Sequence, residues 1–383
     1  MIQPFDFHLP TRISWRVPAA DAAPEAAASV GARRVLIVTD PGIDATGIVE
    51  RIQSALEAAG VSVAKFADVG SNPTTRHVSV AREMATNLGA DALLAVGGGS
   101  SIDTAKAAAM LLSNGGEYSD YQWDGRPINQ QSHPLITIPT TAGTGSEVTK
   151  VAVISDETEP FKKGVLSPLM YARVAIIDPE LTVGLPAGLT AATGIDAFIH
   201  ALEAFTGLRT NPVSDMMAVE SLKLCWHNLG TATHNGSNIE ARSQMMLAAL
   251  FGGMAMDQSG LGLVHALSGG VCSHLHLHHG LANASLLPTV FEFNVGHLDR
   301  TRRDTLAGIF GLSSTVDDDA MAEAVTDYVR SLDLPINLTD HRESLDANSI
   351  DSIAAESMRM VMVHNNPRPV DAEICRALIE SMT

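Results

Sequence analysis

Short apolar runs alternate with amphipathic stretches through the first 185 residues. RVLIVT at 34–39 is rich in β-branched side chains and stops at Asp40-Pro41-Gly42, which predicts a strand running into a turn. Residues 61–66 read the same way. ALLAV at 92–96 stops at Gly97-Gly98-Gly99, LITI at 135–138 stops at Pro139-Thr140-Thr141, and VAII at 174–177 stops at Asp178-Pro179. These runs are apolar at odd and even positions alike, so they predict strands covered on both faces. Helical patterns at 79–88 and 102–112 supply the cover, and the expectation is a parallel α/β sheet of Rossmann-like layering. After Pro186 the period changes to that of helices, at 190–206, 212–228, 239–256, 262–268, 318–332 and 350–364. The predicted organisation is an α/β domain over 1–185 and an all-α domain over 186–383.

Composition narrows the class of partner. A chain of 383 residues is long enough for two cores. Its net charge of −18 speaks against nucleic acid and anionic lipid, both of which need a basic surface. Cys225, Cys272 and Cys375 are odd in number, far apart and without a CxxC pair, so neither a disulfide framework nor a thiolate zinc site is expected. The N-terminus lacks the apolar stretch of a signal peptide, and no run reaches the roughly 18 apolar residues a membrane span needs. These features predict a cytoplasmic protein acting on a small molecule.

Two turns carry the signature of a nucleotide site. In GGGSSIDTAK at 97–106 a buried strand feeds glycines that open a helix, where free N–H groups and a partial positive charge suit pyrophosphate. A tight strand-to-helix turn explains the glycines equally well on their own. The second turn, PTTAGTGSE at 139–147, tips the balance, because it also follows a buried strand and offers small hydroxyl donors. In a parallel sheet both turns emerge at the carboxyl edge, where such sheets bind ligands. Asp40, at the end of the first of these strands, is placed to accept from ribose hydroxyls and would repel a 2′-phosphate, which favours NAD over NADP. Here the acid precedes the glycines, the reverse of the common dinucleotide fingerprint, so a standard GxGxxG fold is not expected.

The second half carries metal chemistry. In TGIDAFIHALEAF at 193–205, Asp196, His200 and Glu203 fall within about 60° on a helix. GLVHALSGGVCSHLHLHHGLAN at 262–283 adds His265 and His279. One continuous helix would hold those two imidazoles about 21 Å apart, so a shared ion requires a break, for which Gly269-Gly270 is the expected place. One carboxylate and three imidazoles suit Fe²⁺ or Zn²⁺ and leave room for a substrate oxygen. A rival cage, His274/His276/His278, would need a strand where a solvated loop serves as well.

The motifs GGGSSIDTAK, IPTTAGTGSE, TGIDAFIHALEA and GLGLVHAL…HHGLANASLLP, in this order, resemble the iron-containing (group III) alcohol dehydrogenase family, from PTRI at 10–13 to Asn366-Pro367-Arg368. The resemblance implies a dehydroquinate synthase-like fold with an N-terminal dinucleotide-binding domain and a helical metal-binding domain. It implies hydride transfer between a primary or secondary alcohol (or the matching aldehyde or ketone) and NAD(H), with the metal, Fe²⁺ ahead of Zn²⁺, as Lewis acid, in a homodimer or larger assembly. It assigns metal ligation to Asp196, His200, His265 and His279, and cofactor contacts to Asp40, Gly98, Gly99, Ser100, Asp103, Thr140, Thr141, Thr144 and Lys163. Three positions depart from the family pattern. Gly269 stands where many members carry a histidine, His278 replaces a proline, and Ser14-Trp15-Arg16-Val17 replaces a glycine turn. With Gly269 in place, His276, a ribose hydroxyl or water is left to relay the proton, and His276 together with the ligand His265 makes the catalytic pair expected here. Two other readings are a lyase resembling dehydroquinate synthase, which calls for more Lys and Arg beside the metal, and a non-enzymatic NAD-responsive regulator, which calls for a DNA-reading element.

Overall fold

The computed structural model describes residues 4–122, 125–156, 162–341 and 344–383, with the backbone alone at 162 and 163. The chain divides into two compact units, one spanning Leu9–Val183 and the other Gly184–Thr383 with residues 4–8.

Among the described residues of the first unit, six parallel strands form one sheet in the order β1-β8-β5-β4-β2-β3. They are β1 (Arg12–Trp15), β2 (Arg34–Val38), β3 (Ser62–Phe66), β4 (Ala92–Gly97), β5 (Leu135–Pro139) and β8 (Val174–Ile177). A separate antiparallel pair, β6 (Val151–Ser155) and β7 (Lys162–Leu166), lies between β5 and β8 in sequence. The helices are α1 (Ala19–Ser29), α2 (Pro41–Asp44), α3 (Ile48–Ala58), α4 (Thr75–Leu88) and α5 (Gly99–Asn114). The two-sided apolar runs find the cover they require. Leu36, Val38, Leu93 and Ala95 pack into one cluster with Val78 and Ile102 of α4 and α5. Val35, Ile37, Leu94 and Val96 pack into the opposite cluster with Ala23 and Ile52 of α1 and α3. Burying a Val, Leu or Ile side chain contributes about 1.5–3 kcal/mol, so a polar residue on either face of β2 or β4 would be costly.

The second unit is helical among its described residues: α6 (Ala187–Thr206), α7 (Pro212–His234), α8 (Ile239–Ser259), α9 (Leu263–His274), α10 (His279–Val295), α11 (Arg300–Ile309), α12 (Asp318–Ser331), α13 (Ala347–Ser357) and α14 (Ala372–Ser381). α6 is buried almost throughout from Thr190 to Thr206, its acid and histidine included. The helix expected over 350–364 ends at Ser357, and a 3₁₀ turn follows at Val361–Asn365. No single helix among the described residues is long and apolar enough to cross a membrane.

The expected break between His265 and His279 is real but lies elsewhere. α9 runs through Gly269-Gly270 unbroken to His274, and the chain turns at residues 275–278. Gly270 serves packing: a Cβ there would stand 2.9 Å from atoms of Ile353 and Glu356 on α13. Gly280 sets where the next helix begins. Its Cβ would lie 2.0 Å from the Ala192 carbonyl oxygen, so only glycine lets the start of α10 meet the α6 backbone. That contact brings His279 to the turn of α6 that carries Asp196.

Candidate active site

In the helical unit, Asp196 and His200 lie one turn apart on α6, His265 is in the first turn of α9, and His279 opens α10. These elements bring four groups to one point. Asp196 Oδ1 is 3.5 Å from His265 Nε2, 3.6 Å from His200 Nε2 and 3.7 Å from His279 Nε2. Asp196, His265 and His279 could hold an ion among the ligand atoms they offer. The His200 ring stacks on His265 with centroids 4.8 Å apart. Donors bound to zinc or ferrous iron at about 2.1 Å in a tetrahedron are about 3.4 Å apart, close to the distances from Asp196 Oδ1 to each imidazole. The atoms of Asp196, His265 and His279, a set that does not include His200, all lie within 4.8 Å of one another.

Hydrogen bonds behind the imidazoles decide which nitrogen faces inward. Glu203 accepts from His265 Nδ1 at 2.6 Å through one oxygen and from the Val264 backbone N–H at 2.6 Å through the other. His279 Nδ1 lies 3.2 Å from Ser268 Oγ. With Nδ1 engaged by these partners, each ring turns its Nε2 toward Asp196, the nitrogen that a metal would take. Burial alone would raise the Asp196 carboxyl, but His200, His279 and His265 outweigh it and hold it well below the usual carboxylate range. Burial would lower His265, yet Glu203 and Asp196 raise it to about 9. The donor set and its spacing therefore fit a divalent ion. Glu203, Ser268 and Asn283 had no assigned role in the sequence reading. Glu203 shared a helix face with the ligands, and that was the one available signal.

His276 is not brought into this group. It is exposed in the turn between α9 and α10, with a left-handed φ of 49°. His274 lies 3.8 Å from Glu356, and His278 caps α10 by accepting from the Gly280 N–H. The rival cage of alternate histidines does not form, because these residues are not in a strand.

In the α/β unit the predicted turns gather at the carboxyl ends of adjacent strands. Asp40 follows β2, Gly98 and Gly99 follow β4, and Thr140 to Thr144 follow β5. The two turns pack on each other. A Cβ at Gly99 would lie 2.7 Å from Thr144 Cγ2, and one at Gly98 would lie 3.2 Å from Thr141 Cγ2. The long helix α5 begins at Gly98 with no side-chain cap, leaving first-turn N–H groups for an anion. Thr39 and Thr140 have buried hydroxyls with no hydrogen-bond partner among the described residues. Uncapped donors and orphan hydroxyls at one sheet edge fit a dinucleotide phosphate and ribose.

The remaining expected contacts are already engaged within the unit. Asp40 Oδ1 accepts from the Ile43 N–H at 3.0 Å, with its second oxygen 3.5 Å from Ser101 Oγ. Ser100 Oγ donates to the Ser71 carbonyl. Asp103 is raised by burial, and its carboxylate accepts from Ser146 Oγ and the Val153 N–H, tying α5 to the second turn. The side chain of Lys163 lies outside the described residues; its backbone pairs with Ile154.

Comparison with known proteins finds relatives that span both units. The family described as iron-containing alcohol dehydrogenase matches residues 10–179, and its C-terminal counterpart matches residues 190–383. The chain is 38% identical over 359 residues to a 4-hydroxybutyrate dehydrogenase of Cupriavidus necator, covering 92% of each. It is 35% identical over 373 residues to a choline dehydrogenase of Bacillus subtilis (strain 168), covering 95% of this chain and 92% of that one. Among solved structures it resembles sulfoacetaldehyde reductase from Bifidobacterium kashiwanohense in complex with NAD⁺, with a TM-score of 0.90, 28% identity and 99% of each chain covered.

Proposed function

This chain belongs to the iron-containing alcohol dehydrogenase family, and we propose that Asp196, His200, His265 and His279 hold its metal while the turns after β2, β4 and β5 hold its nucleotide. It is an oxidoreductase that moves a hydride between an alcohol, or the matching aldehyde or ketone, and NAD(H). When bound, a divalent ion supplies Lewis acidity to the substrate oxygen, and the nicotinamide takes or gives the hydride. The observation that carries the assignment of the metal ligands is the meeting of three imidazole nitrogens at one oxygen of Asp196.

The chain's own groups do the arranging. Glu203 and Ser268 orient the rings of His265 and His279, and burial of Asp196, His200 and His265 keeps bulk water from competing for them. The proposed metal is Fe²⁺ ahead of Zn²⁺: nitrogen and oxygen donors without thiolate suit both, and the iron of the family's description decides the order. The proposed nucleotide is NAD rather than NADP, since Asp40 at the end of β2 would repel a 2′-phosphate. A Cβ at Gly269, one turn past His265, would meet nothing within 4 Å. That space admits a water as proton acceptor in place of the exposed His276. It also admits a substrate with a polar tail, the feature shared by choline, 4-hydroxybutyrate and sulfoacetaldehyde in the relatives' names. The proposed assembly is a homodimer or larger, which light scattering tests.

Asp196→Ala, measured by metal analysis, circular dichroism and turnover, is expected to lose metal and activity while keeping the fold. Full activity in that variant overturns the assignment. A panel of short alcohols and aldehydes with neutral, cationic and anionic tails, run with NAD⁺ and NADP⁺, tests the finer choices.

A further inference from the structure

Asn283 lies one turn after His279 on α10 and is fully buried. Its carboxamide nitrogen is 2.7 Å from Asp196 Oδ1, 3.3 Å from His265 Nε2 and 3.2 Å from His279 Nε2. The nitrogen must be the inward atom, because the ionised Asp196 oxygen only accepts. Glu203 engages His265 Nδ1 and Ser268 engages His279 Nδ1, so both Nε2 atoms face inward. One amide nitrogen thus faces three prospective metal-ligand atoms. At its other end the carboxamide oxygen is buried with no hydrogen-bond partner among the described residues. A buried, unpaired carbonyl weakens folding, and a leucine of similar volume would avoid that cost. The residue is therefore explained by its nitrogen.

We infer that Asn283 is a positioning residue for the metal: by donating to Asp196 and facing His265 and His279, it keeps the three ligand atoms turned to one point before an ion arrives. The inference rests on the proposed ligand set and adds to it a group that is not itself a ligand. Without the amide, the hydrogen bond that ties α10 to Asp196 beside the two imidazoles is lost, the three groups are freer to turn apart, and the ion would have to reassemble them. Support of this kind behind metal ligands is worth roughly 10–100-fold in affinity.

The test is cobalt(II) binding to the full chain after removal of resident metal, read by chelator competition and by the ligand-field absorption of the bound ion. Asn283→Leu removes the donor at constant volume, and Asn283→Ser keeps a smaller donor. The expected result is a fall of about 10–100-fold for Leu with an altered spectrum, and partial recovery for Ser. Circular dichroism checks each fold. If the Leu variant does not fold, the Ser variant decides, with an affinity below that of the parent expected. Parent-like or tighter binding with an unchanged spectrum, in a folded Leu variant or in the Ser variant standing in for it, overturns the inference. A parent that binds no cobalt overturns the ligand assignment itself, and this inference with it.

Discussion

Glu203→Gln is the sharpest test of how the metal site is set. The carboxylate serves two N–H donors at once, the Val264 backbone and His265 Nδ1, each at 2.6 Å. Glutamine has the same length but one acceptor oxygen, so one of the two donors must face an NH₂ group. If the oxygen keeps Val264, His265 escapes the clash by moving its proton to Nε2, which removes its inward lone pair. If the oxygen keeps His265, the Val264 N–H at the start of α9 is left buried and unpaired, at about 1–3 kcal/mol. Loss of charge behind the imidazole also lowers its basicity as a ligand. We expect metal affinity to fall about 10–100-fold, equivalent to about 1.4–2.8 kcal/mol, with little change in helix content. Chelator competition gives the affinity, and ¹⁵N chemical shifts of labelled histidine report which ring nitrogen carries hydrogen. A variant that binds metal as the parent does, with His265 still protonated at Nδ1 and its melting temperature unchanged, refutes the reasoning.

Protonation of His265 makes metal binding depend on pH. Its folded value of about 9 lies above the ordinary 6.5. In metal-stripped protein the stabilisation from this group is thus complete below about pH 6.5 and fades as pH rises through about 9. An incoming ion must displace that proton, so apparent affinity should rise about tenfold per pH unit toward pH 9 and flatten above it; a flat profile from pH 6.5 to 10 would contradict this. In the other unit, Lys106 is fully buried and donates to the carbonyls of Ser146, Thr149 and Val151 at 2.7–2.9 Å. Lys106→Met takes the shared donor from those oxygens and the positive charge from the neighbourhood of buried Asp103, at about 3–5 kcal/mol, which lowers the melting temperature by roughly 10 °C. A calorimetric midpoint within about 2 °C of the parent would show that the ammonium is not what holds the second turn.

The edge strand β3, with Ser62 and Lys65 exposed, showed only through Val61 and Val63, whereas β2, β4, β5 and β8 were legible because a strand covered on both faces is apolar on both, a pattern no loop needs. β1 and the β6–β7 pair were not. RISW at 12–15 is short and half polar, and β7 begins Lys-Lys-Gly, so neither run stands out from a loop. The helix α10 was missed because Gly280, its two asparagines and Pro288 weaken the helical pattern, and packing against α6 and α12 supplies what propensity does not. Gly269-Gly270 was read as a turn because glycine is permissive, but at Gly270 the missing side chain makes room for α13. Sequence alone does not separate a glycine needed for its backbone from one needed for its lack of bulk.

The ligands and the groups that orient them differ in legibility for a physical reason. Asp196 and His200 share a helix turn, and the spacing of one turn is visible along the chain. The groups that orient the ligands come from other helices: Glu203 reaches His265 across 62 positions, Ser268 reaches His279 from α9, and Asn283 reaches Asp196 across 87. Such pairings follow only from where helices cross, and here the crossing depends on Gly280 admitting α10 to the α6 backbone. The same logic separates His279 from the histidines before it. His274, His276 and His278 are identical in chemistry and nearly adjacent in sequence. Only the residue that opens α10 is carried to Asp196, with a hydroxyl waiting behind it. A metal site of this kind is specified less by how many histidines the chain carries than by which one the helix start delivers.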